Sequence, residues 1–243
     1  MIDPVVRFSR VGKKFGRLPV LSGIDLAIPA GRFLGLAGVN GAGKTTLIKC
    51  LLDFCDIDTG TILINGIDRR RPQAREGLAF LPERFMPPYF LTGREFVRSM
   101  LRLSRRPYEE ERVRAMFADL DLDSTGLDKP VRSYSKGMTQ KLGLAACLLS
   151  QRDFFVLDEP MSGLDPKARA RVKTILRRLQ AEGRTLLFTS HSLADIEEIC
   201  DHMLVLHRGV FVFSGPPAAL RERHGVTSLE DAFLKCIEAP CDG

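Results

Sequence analysis

The chain has 243 residues, of which 44% are apolar and 27% are charged, and its formal net charge is +6. These values are ordinary for a globular protein, and they argue against low-complexity, repeat-rich and disulfide-stapled classes. A net positive charge favours binding to nucleic acid, to an anionic membrane surface or to phosphate ligands, so the charge alone does not identify a partner.

No targeting or membrane-spanning segment is predicted. The first five residues lack the basic stretch and apolar core of a signal peptide, and no window approaches the roughly 18 apolar residues of a membrane span. The six cysteines are Cys50, Cys55, Cys147, Cys200, Cys236 and Cys241. They form no CxxC pair, so we expect reduced, buried thiols in a cytosolic protein. We expect the arginine run at 69–71, beside a proline, to be solvated.

The first third of the chain predicts strands around a glycine-rich loop. Residues 24–28 place apolar side chains at every second position, as an antiparallel strand with one buried face does. Residues 33–37 are nearly all apolar, which is typical of a parallel strand covered on both faces. Further predicted elements are strands at 5–8, 61–64 and 78–81 and a helix at 44–52.

The middle of the chain, from about residue 92 to residue 150, is predicted to be helical. Thr92 and Glu95 form a capping-box signal at its start. Strands at 154–157 and 185–188 enclose a basic helix at 166–182, an order that implies βαβ crossovers and a parallel sheet. Further predicted elements are a strand at 203–206, a hairpin turn at 207–209 into a strand at 210–213, and a last helix opened by Ser228.

A glycine-rich segment after residues 33–37 matches G-x-x-x-x-G-K-[ST], which binds phosphate when it lies between a strand and a helix. Its glycines let backbone amides turn toward phosphate oxygens, and the helix start adds positive potential. We expect Lys44 to reach the β- and γ-phosphates and Thr45 to complete a Mg²⁺ shell. The alternative is a glycine-rich turn with an incidental lysine. The predicted contacts are Gly38, Asn40, Gly41, Ala42, Gly43, Lys44, Thr45 and Thr46.

The strand at 154–157 runs into two adjacent carboxylates, Asp158 and Glu159. Because ligands bind at the carboxyl ends of parallel strands, we expect Asp158 to hold Mg²⁺ and Glu159 to polarise the attacking water or accept its proton. His191 follows the next strand, where an imidazole can bond the γ-phosphate or the water. The alternatives are a solvated acidic pair and a packed or capping histidine.

Residues 134–138, Tyr-Ser-Lys-Gly-Met, open an apolar-faced helix shortly before that strand. Ser135 is a good N-cap and Gly137 leaves its backbone bare, which makes a second helix start receptive to anions. The segment resembles the signature motif of ABC ATPases, usually written LSGGQ, in a variant form. One chain does not need two phosphate cradles for one nucleotide, whereas two chains facing head to tail do.

The resemblance covers essentially the whole chain and implies an α/β fold of the P-loop NTPase, RecA-like class. A parallel-sheet core would carry an N-terminal antiparallel β subdomain and an inserted helical subdomain. Phe15 matches the aromatic residue that stacks on adenine in the family, Asp165 lies in the segment that matches the D-loop, and His191 matches the switch histidine.

The resemblance also implies two ATP molecules sandwiched between two protomers, in a homodimer or a heterodimer. Each would be held by the phosphate loop of one protomer and by Ser135, Gly137 and Met138 of the other. Mg²⁺-dependent hydrolysis would then drive a transmembrane permease.

Three departures from the family pattern matter. Glu83 stands where many members carry Gln; it accepts a hydrogen bond from a metal-bound water but cannot donate through an amide, so it is kept as a metal-site residue. Lys136 and Met138 replace the common Gly and Gln of the signature, and Phe15 replaces a frequent Tyr. Glu83 and the signature variant resemble members paired with exporter-type permeases. The aromatic, Met and Pro residues at 84–90 predict either a surface for an apolar partner or a loop folded inward.

On this resemblance residues 1–243 form one ABC ATPase domain. Residues 1–83 and 151–215 would be the β subdomain and core, 84–150 the helical subdomain and 216–243 a helical tail. The expected location is the cytoplasmic face of a membrane, through the permease, and no nucleic-acid partner is expected. The alternatives are an ABC-type ATPase for assembly or maintenance, a P-loop kinase or GTPase (no Asn-Lys-x-Asp is present), and a non-catalytic regulatory subunit.

Overall fold

A computed structural model describes residues 3–238, so the predictions for Met1, Ile2, Cys241 and the end of the C-terminal tail lie outside the described residues. The chain forms two compact units. Unit 1 consists of the segments Met1–Gly77 and Gly183–Gly243, and unit 2 is Leu78–Glu182. The domain boundaries inferred from the resemblance stay a prediction.

Unit 1 begins with an antiparallel sheet. Its strands are β1 (Val6–Phe15), β2 (Leu18–Ile28), β4 (Thr59–Ile64) and β5 (Ile67–Asp68), in the spatial order β2-β1-β4-β5. The prediction of an antiparallel strand at 24–28 is confirmed, because Ile28 pairs with Val6 and Ile24 with Val11. Alternation explains the one-sided burial: Val6, Phe8 and Ile28 are buried and their neighbours are more exposed. The two-residue β5 was not predicted.

The rest of unit 1 is built on parallel strands. They are β3 (Phe33–Ala37), β8 (Thr185–Thr189) and β9 (His202–His207), with the antiparallel β10 (Val210–Gly215) beside β9. All residues of β3 and β8 are buried, as the continuous apolar runs predicted. The hairpin between β9 and β10 is confirmed. The helices are α1 (Lys44–Leu51), α6 (Leu193–Ile199), α7 (Pro217–His224) and α8 (Leu229–Glu238).

Unit 2 combines two parallel strands with a group of helices. The strands are β6 (Leu78–Leu81) and β7 (Phe154–Asp158), and the helices are α2 (Gly93–Leu103), α3 (Glu110–Asp119), α4 (Lys136–Leu149) and α5 (Pro166–Ala181). Both halves of the capping box are present at α2, where Thr92 accepts from the Glu95 amide and Glu95 accepts from the Thr92 amide. Helix α4 is buried from Gln140 to Leu149, so it forms the core of this unit.

The prediction that the arginine run at 69–71 is solvated is wrong for Arg69. Arg71 is exposed, but Arg69 is only 3% exposed. Its Nη1 atom donates to the carbonyls of Cys50 and Cys55 at 3.0 and 3.1 Å and to Asp53 Oδ1 at 2.8 Å. These acceptors surround the end of α1, where free carbonyls favour a cation. Arg69 is therefore a structural clamp and not a solvated charge.

Four of the cysteines, Cys50, Cys147, Cys200 and Cys236, are buried as expected, and Cys55 is half-buried. Within residues 3–238, no helix combines the length and apolar content that crossing a membrane requires.

Candidate functional site

The phosphate loop of unit 1 connects β3 to α1. Gly41 and Gly43 have φ angles of 80° and 111°, in the region that favours glycine. The loop closes on itself through the Ala42 amide, which donates to the Val39 carbonyl at 3.1 Å. Lys44, the first residue of α1, folds its ammonium back to donate to the carbonyls of Gly38 and Val39. The loop thus has the strand-to-helix form that exposes amides to a phosphate.

Close packing explains why side chains are excluded at two of the loop glycines. A Cβ atom on Gly38 would lie 2.5 Å from the Leu206 carbonyl oxygen, and one on Gly43 would lie 2.9 Å from that of Val20. Both distances are shorter than real Cβ contacts, so substitution would displace the backbone. Of the other predicted contacts, Asn40 and Thr45 are exposed, Thr46 is half-buried and Ala42 is buried.

Gly209, for which the sequence predicts no role at the site, supports this loop from the β9–β10 hairpin. Its amide donates to the Ala42 carbonyl at 3.2 Å, and its carbonyl accepts from the Ser22 amide at 2.9 Å. A Cβ atom there would lie 2.5 Å from the Val20 carbonyl oxygen, and φ is 79°. Glycine in a predicted hairpin turn was the available signal, but its contact with the phosphate loop is long-range.

Two other predicted residues lie in unit 1. The ring of Phe15, the last residue of β1, is 54% exposed, and the Lys13 ammonium lies 5.1 Å from its centroid. An exposed ring is free to stack on a flat base. His191 is exposed and follows β8, which lies beside β3 in parallel with Leu36 opposite Thr189. The structure therefore brings His191 to the sheet edge from which the phosphate loop departs.

The carboxylates lie in unit 2, at the carboxyl end of its parallel strands. Asp158 ends β7 and Glu159 follows it; they are 5% and 7% exposed. Leu81 of β6 pairs with Leu157 of β7, so the exposed Glu83 leaves its strand at the same end. Glu159 has a φ of 51°, and its carbonyl accepts from the Ser162 amide at 3.0 Å.

Gln140, for which the sequence predicts no role, supports the segment that follows Glu159. It is 6% exposed, and its Nε2 atom donates to the Pro160 carbonyl at 3.1 Å and more weakly to that of Glu159 at 3.5 Å. A buried amide in an apolar helix needs partners, which gave a signal without naming them. Through this contact α4 supports the backbone next to the Glu159 carboxylate.

The signature segment has the predicted helix start. Ser135 is the N-cap of α4, and its hydroxyl accepts from the Met138 amide at 3.2 Å. The Tyr134 hydroxyl donates to the Gly126 carbonyl at 2.6 Å, and burial raises the pKa of this phenol to about 12. Gly137 and Met138 are half-buried in the first turn. The motif therefore begins on an anchored residue and opens into the first turn of a helix, where the leading amides lack partners within the helix.

The segment that matches the D-loop lies against the signature. A Cβ atom on Gly137 would lie 3.2 Å from the Gly163 carbonyl oxygen, and the Lys136 side chain covers Gly163. Asp165 is the N-cap of α5 and accepts from the Ala168 amide at 2.9 Å, which holds the pKa of this carboxyl below its usual value. The contact that Asp165 makes in the structure is therefore a cap on helix α5.

Among residues 3–238 no three His, Cys, Asp or Glu side chains form a group that could hold a metal ion. That finding is compatible with Mg²⁺ bound next to a nucleotide, because such an ion takes one or two protein oxygens and completes its shell with phosphates and water. The Thr45 hydroxyl and the Asp158 carboxylate are oxygen donors of this kind.

The aromatic segment after Glu83 divides into an inward and an outward part. The Phe85 ring packs edge-on against Phe96, with centroids 5.6 Å apart. Met86, Tyr89 and Phe90 are 86%, 69% and 68% exposed. These three residues, within a stretch of five, form an exposed apolar patch, and such patches mark interaction sites.

Comparison with known proteins gives concordant matches. The family model for the ABC transporter matches residues 21–162, more than half of the chain. A Nod factor export ATP-binding protein I from Burkholderia orbicola is 37% identical over 225 residues, covering 89% of this chain and 72% of that protein. A ribose import ATP-binding protein from Caldanaerobacter subterraneus is 31% identical over 225 residues, covering 88% and 45%. The chain spans only 45 to 59% of the length of three curated relatives, the ribose protein among them.

A solved structure described as an ATP binding subunit of an ABC transporter superposes with a TM-score of 0.85 at 26% identity. The superposition covers 96% of this chain and 99% of the other. The predicted α/β class, with a parallel sheet and an antiparallel β subdomain, is confirmed by this match.

Proposed function

Because this chain belongs to the ABC transporter family, we propose that it binds and hydrolyses ATP to power a transporter whose membrane-spanning part is another chain. The phosphate loop carries the proposal. Two of its glycines, Gly41 and Gly43, have φ angles that only glycine adopts readily, and Lys44 opens the helix that follows. An isolated glycine turn does not need this combination, whereas a triphosphate cradle does.

The nucleotide is assigned to the residues of the phosphate loop and to Phe15. Loop amides and the α1 start bind the phosphates, and Lys44 exchanges its carbonyl contacts for phosphate oxygens. The exposed face of Phe15 stacks on adenine, and the nearby Lys13 ammonium adds attraction at the ring. Phe15 lacks the hydroxyl of the Tyr that is frequent in the family, but stacking uses only the face of the ring.

Magnesium is assigned to Thr45 and Asp158, with Glu83 bonding a metal-bound water. The ion, when bound, would neutralise charge that develops on the phosphates. Asp158 suits this task because burial limits competition from bulk water. Glu83 is exposed and anionic, which suits contact with a hydrated cation but not donation to phosphate.

Glu159 is assigned as the base for the attacking water, and His191 as the residue that bonds the γ-phosphate. Glu159 is held by its backbone, since its φ angle, the Ser162 amide and Gln140 all constrain the segment around it. Such constraint favours a single position for the carboxylate. Positioning and charge neutralisation are then the main catalytic contributions.

The signature helix is assigned to a nucleotide bound by a second protomer. Ser135 offers its hydroxyl and Gly137 a helix-start amide, with Met138 in the same turn, and α4 has no acidic residue in its first turn that would repel phosphate. Asp165 lies in the adjoining segment and belongs to the same interface. Closure of a homodimer or heterodimer around ATP, and its opening after hydrolysis, is the proposed power stroke.

The partner of the exposed apolar patch, Met86, Tyr89 and Phe90, is proposed to be a cytoplasmic segment of the permease. This contact would place the chain at the cytoplasmic face of a membrane. Export is the proposed direction, supported by the signature variant and by the similarity to a Nod factor export protein. The similarity to a ribose import protein is weaker and covers less than half of that protein. The second candidate function is that of an ABC-type ATPase outside transport. This candidate does not explain why the apolar patch is exposed.

The test of nucleotide binding uses two lysines of one helix. Lys44→Ala is expected to weaken Mg-ATP binding more than about a hundredfold, since a lost charged hydrogen bond costs about 3 kcal/mol. Lys49→Ala, at an exposed position in the last turn of α1, is the matched control and should change affinity by less than about twofold. Calorimetric titration measures both. Equal affinities in the two variants would contradict the assignment of the loop.

Co-purification of a multi-span membrane protein with the chain would favour transport over the second candidate function.

Gln140 is proposed as a positioning residue for Glu159. Replacing it with Leu should lower kcat about tenfold and leave the KM for ATP within about twofold, because the buried Pro160 carbonyl loses its donor and the adjacent segment shifts. Gln73→Leu, at an exposed site, is the control. Steady-state kinetics separate the two constants; a changed KM with an unchanged kcat would refute this role.

A further inference from the structure

The end of helix α1 holds two cysteines close together. Cys50 lies in the last turn and is fully buried, and Cys55 is half-buried. Between them the chain reverses: Asp53 has a φ of 64°, and the Phe54 amide donates back to the Lys49 carbonyl at 2.9 Å. This is the geometry of a helix C-terminus that turns on a left-handed residue. The turn carries Cys55 back toward the last helical turn.

Contacts confirm that the two residues are neighbours in space. The pKa of Cys50 is raised by burial and further by the neighbouring Cys55 thiol, which indicates that the two side chains lie near each other. Arg69 Nη1 also donates to both of their carbonyls, at 3.0 and 3.1 Å, and so holds the two backbones around one atom. Arg69 is itself clamped by Asp53 at 2.8 Å. The pair is therefore fixed by the fold and does not rely on chance encounters.

The two thiols differ in accessibility, which sets the order of their reactions. Burial raises the pKa of Cys50 to about 12, and the Arg69 guanidinium opposes that shift only in part. Cys55 is reachable from solvent, and its thiol contacts the Asp56 carbonyl at 3.5 Å. The buried Cys147 also has its pKa raised by desolvation, to about 12. Attack from solvent thus begins at Cys55.

We propose that Cys50 and Cys55 are a redox-active pair that forms an intramolecular disulfide when the chain meets a hydroperoxide. The Cys55 thiolate attacks the peroxide, the O–O bond breaks, and a sulfenic acid and an alcohol (water, for hydrogen peroxide) are formed. The Cys50 sulfur then attacks the Cys55 sulfur; the S–O bond breaks, and hydroxide leaves and takes the Cys50 proton as water. Two electrons pass from the two thiols to the peroxide. A dithiol reductant reverses the bridge.

Proximity compensates for the low thiolate fraction of Cys50. A resolving thiol that the fold holds near the sulfenic acid reacts as a group within one molecule, with a high effective concentration. The bridge also keeps Cys55 from passing to the irreversible sulfinic acid, because the sulfenic acid is consumed first. This inference does not depend on the proposed function.

Cleavage by trypsin gives a direct test, because residues 50–69 follow Lys49, end at Arg69 and contain both cysteines with no basic residue between them. The folded, reduced chain is treated with a slight excess of hydrogen peroxide and then alkylated. The expected result is peptide 50–69 without alkylation and lighter by two hydrogens, about 2 Da. Further cleavage before Asp53 and Asp56 should leave Cys50 and Cys55 fragments joined until a reductant is added.

Two variants separate the pair from the other thiols. Cys55→Ser, at a half-exposed site, should abolish the bridged peptide and leave Cys50 alkylatable under denaturing conditions, whereas Cys236→Ser should leave the bridge unchanged. Cys50→Ala should convert Cys55 to a sulfinic acid, about 32 Da heavier. The proposal is overturned if the wild-type peptide gains oxygen at Cys55 without a bridge, if Cys55 bridges two chains, or if both thiols stay free.

Discussion

The Glu159→Gln variant is expected to hydrolyse ATP about a hundredfold to ten-thousandfold more slowly than the parent chain, the range associated with loss of a general base. The amide has almost the same size as the carboxylate, so the segment around it should stay in place. Removing one of two adjacent negative charges also lessens repulsion of the triphosphate. ATP binding should therefore be retained or tightened, and nucleotide-bound dimers should accumulate.

Phosphate release measured at saturating Mg-ATP, together with size-exclusion chromatography, checks both parts of this expectation. Glu222→Gln, at an exposed position of α7, makes the same chemical change away from the candidate site and should behave like the parent. Parent-like turnover in the Glu159 variant would remove this residue from the chemistry. Slow turnover without dimers would keep the base and reject ATP-driven closure.

The Arg69→Met variant is expected to lower the free energy of unfolding by about 2–3 kcal/mol, since removing one partner of a buried ion pair leaves the other uncompensated. The loss falls short of the full value because Asp53 is 24% exposed and Arg75 lies 3.5 Å from its other oxygen. The carbonyls of Cys50 and Cys55 would also lose the hydrogen bonds from Arg69. For a chain of this size the midpoint should fall by about 5–10 °C.

The arginine run supplies its own control. Arg71→Met removes the same charge from an exposed position two residues away and should change stability by no more than about 0.5 kcal/mol. Chemical denaturation of both variants under equal conditions gives the comparison. Equal losses of stability would mean that net charge, and not the clamp around the end of α1, is responsible.

Local patterns predicted much of this fold and site. The strand at 33–37, the phosphate loop and the helix at Lys44 follow one another, so each supports the identification of the next. The Thr92 capping box and the Ser135 N-cap are also local, because each partner lies three residues away. Features of this kind depend on short-range chemistry that the order of residues specifies directly.

Residues whose partners are distant in sequence were missed or misjudged. Arg69 looked like one of three equivalent arginines, and only folding places it among carbonyls 14 and 19 residues away. Gln140 and the Pro160 carbonyl are 20 residues apart, and Gly209 supports a loop more than 160 residues before it. Such contacts arise from tertiary packing, which composition and periodicity do not encode.

The left-handed backbone at Glu159 has an evolutionary consequence. A side chain at a φ of 51° costs about 1 kcal/mol that glycine avoids and asparagine reduces. Either replacement would relax the backbone and delete the carboxylate in one step. Selection for stability alone would therefore favour a subunit that binds ATP without hydrolysing it. On the proposed mechanism, only selection for ATP turnover opposes this replacement of Glu159.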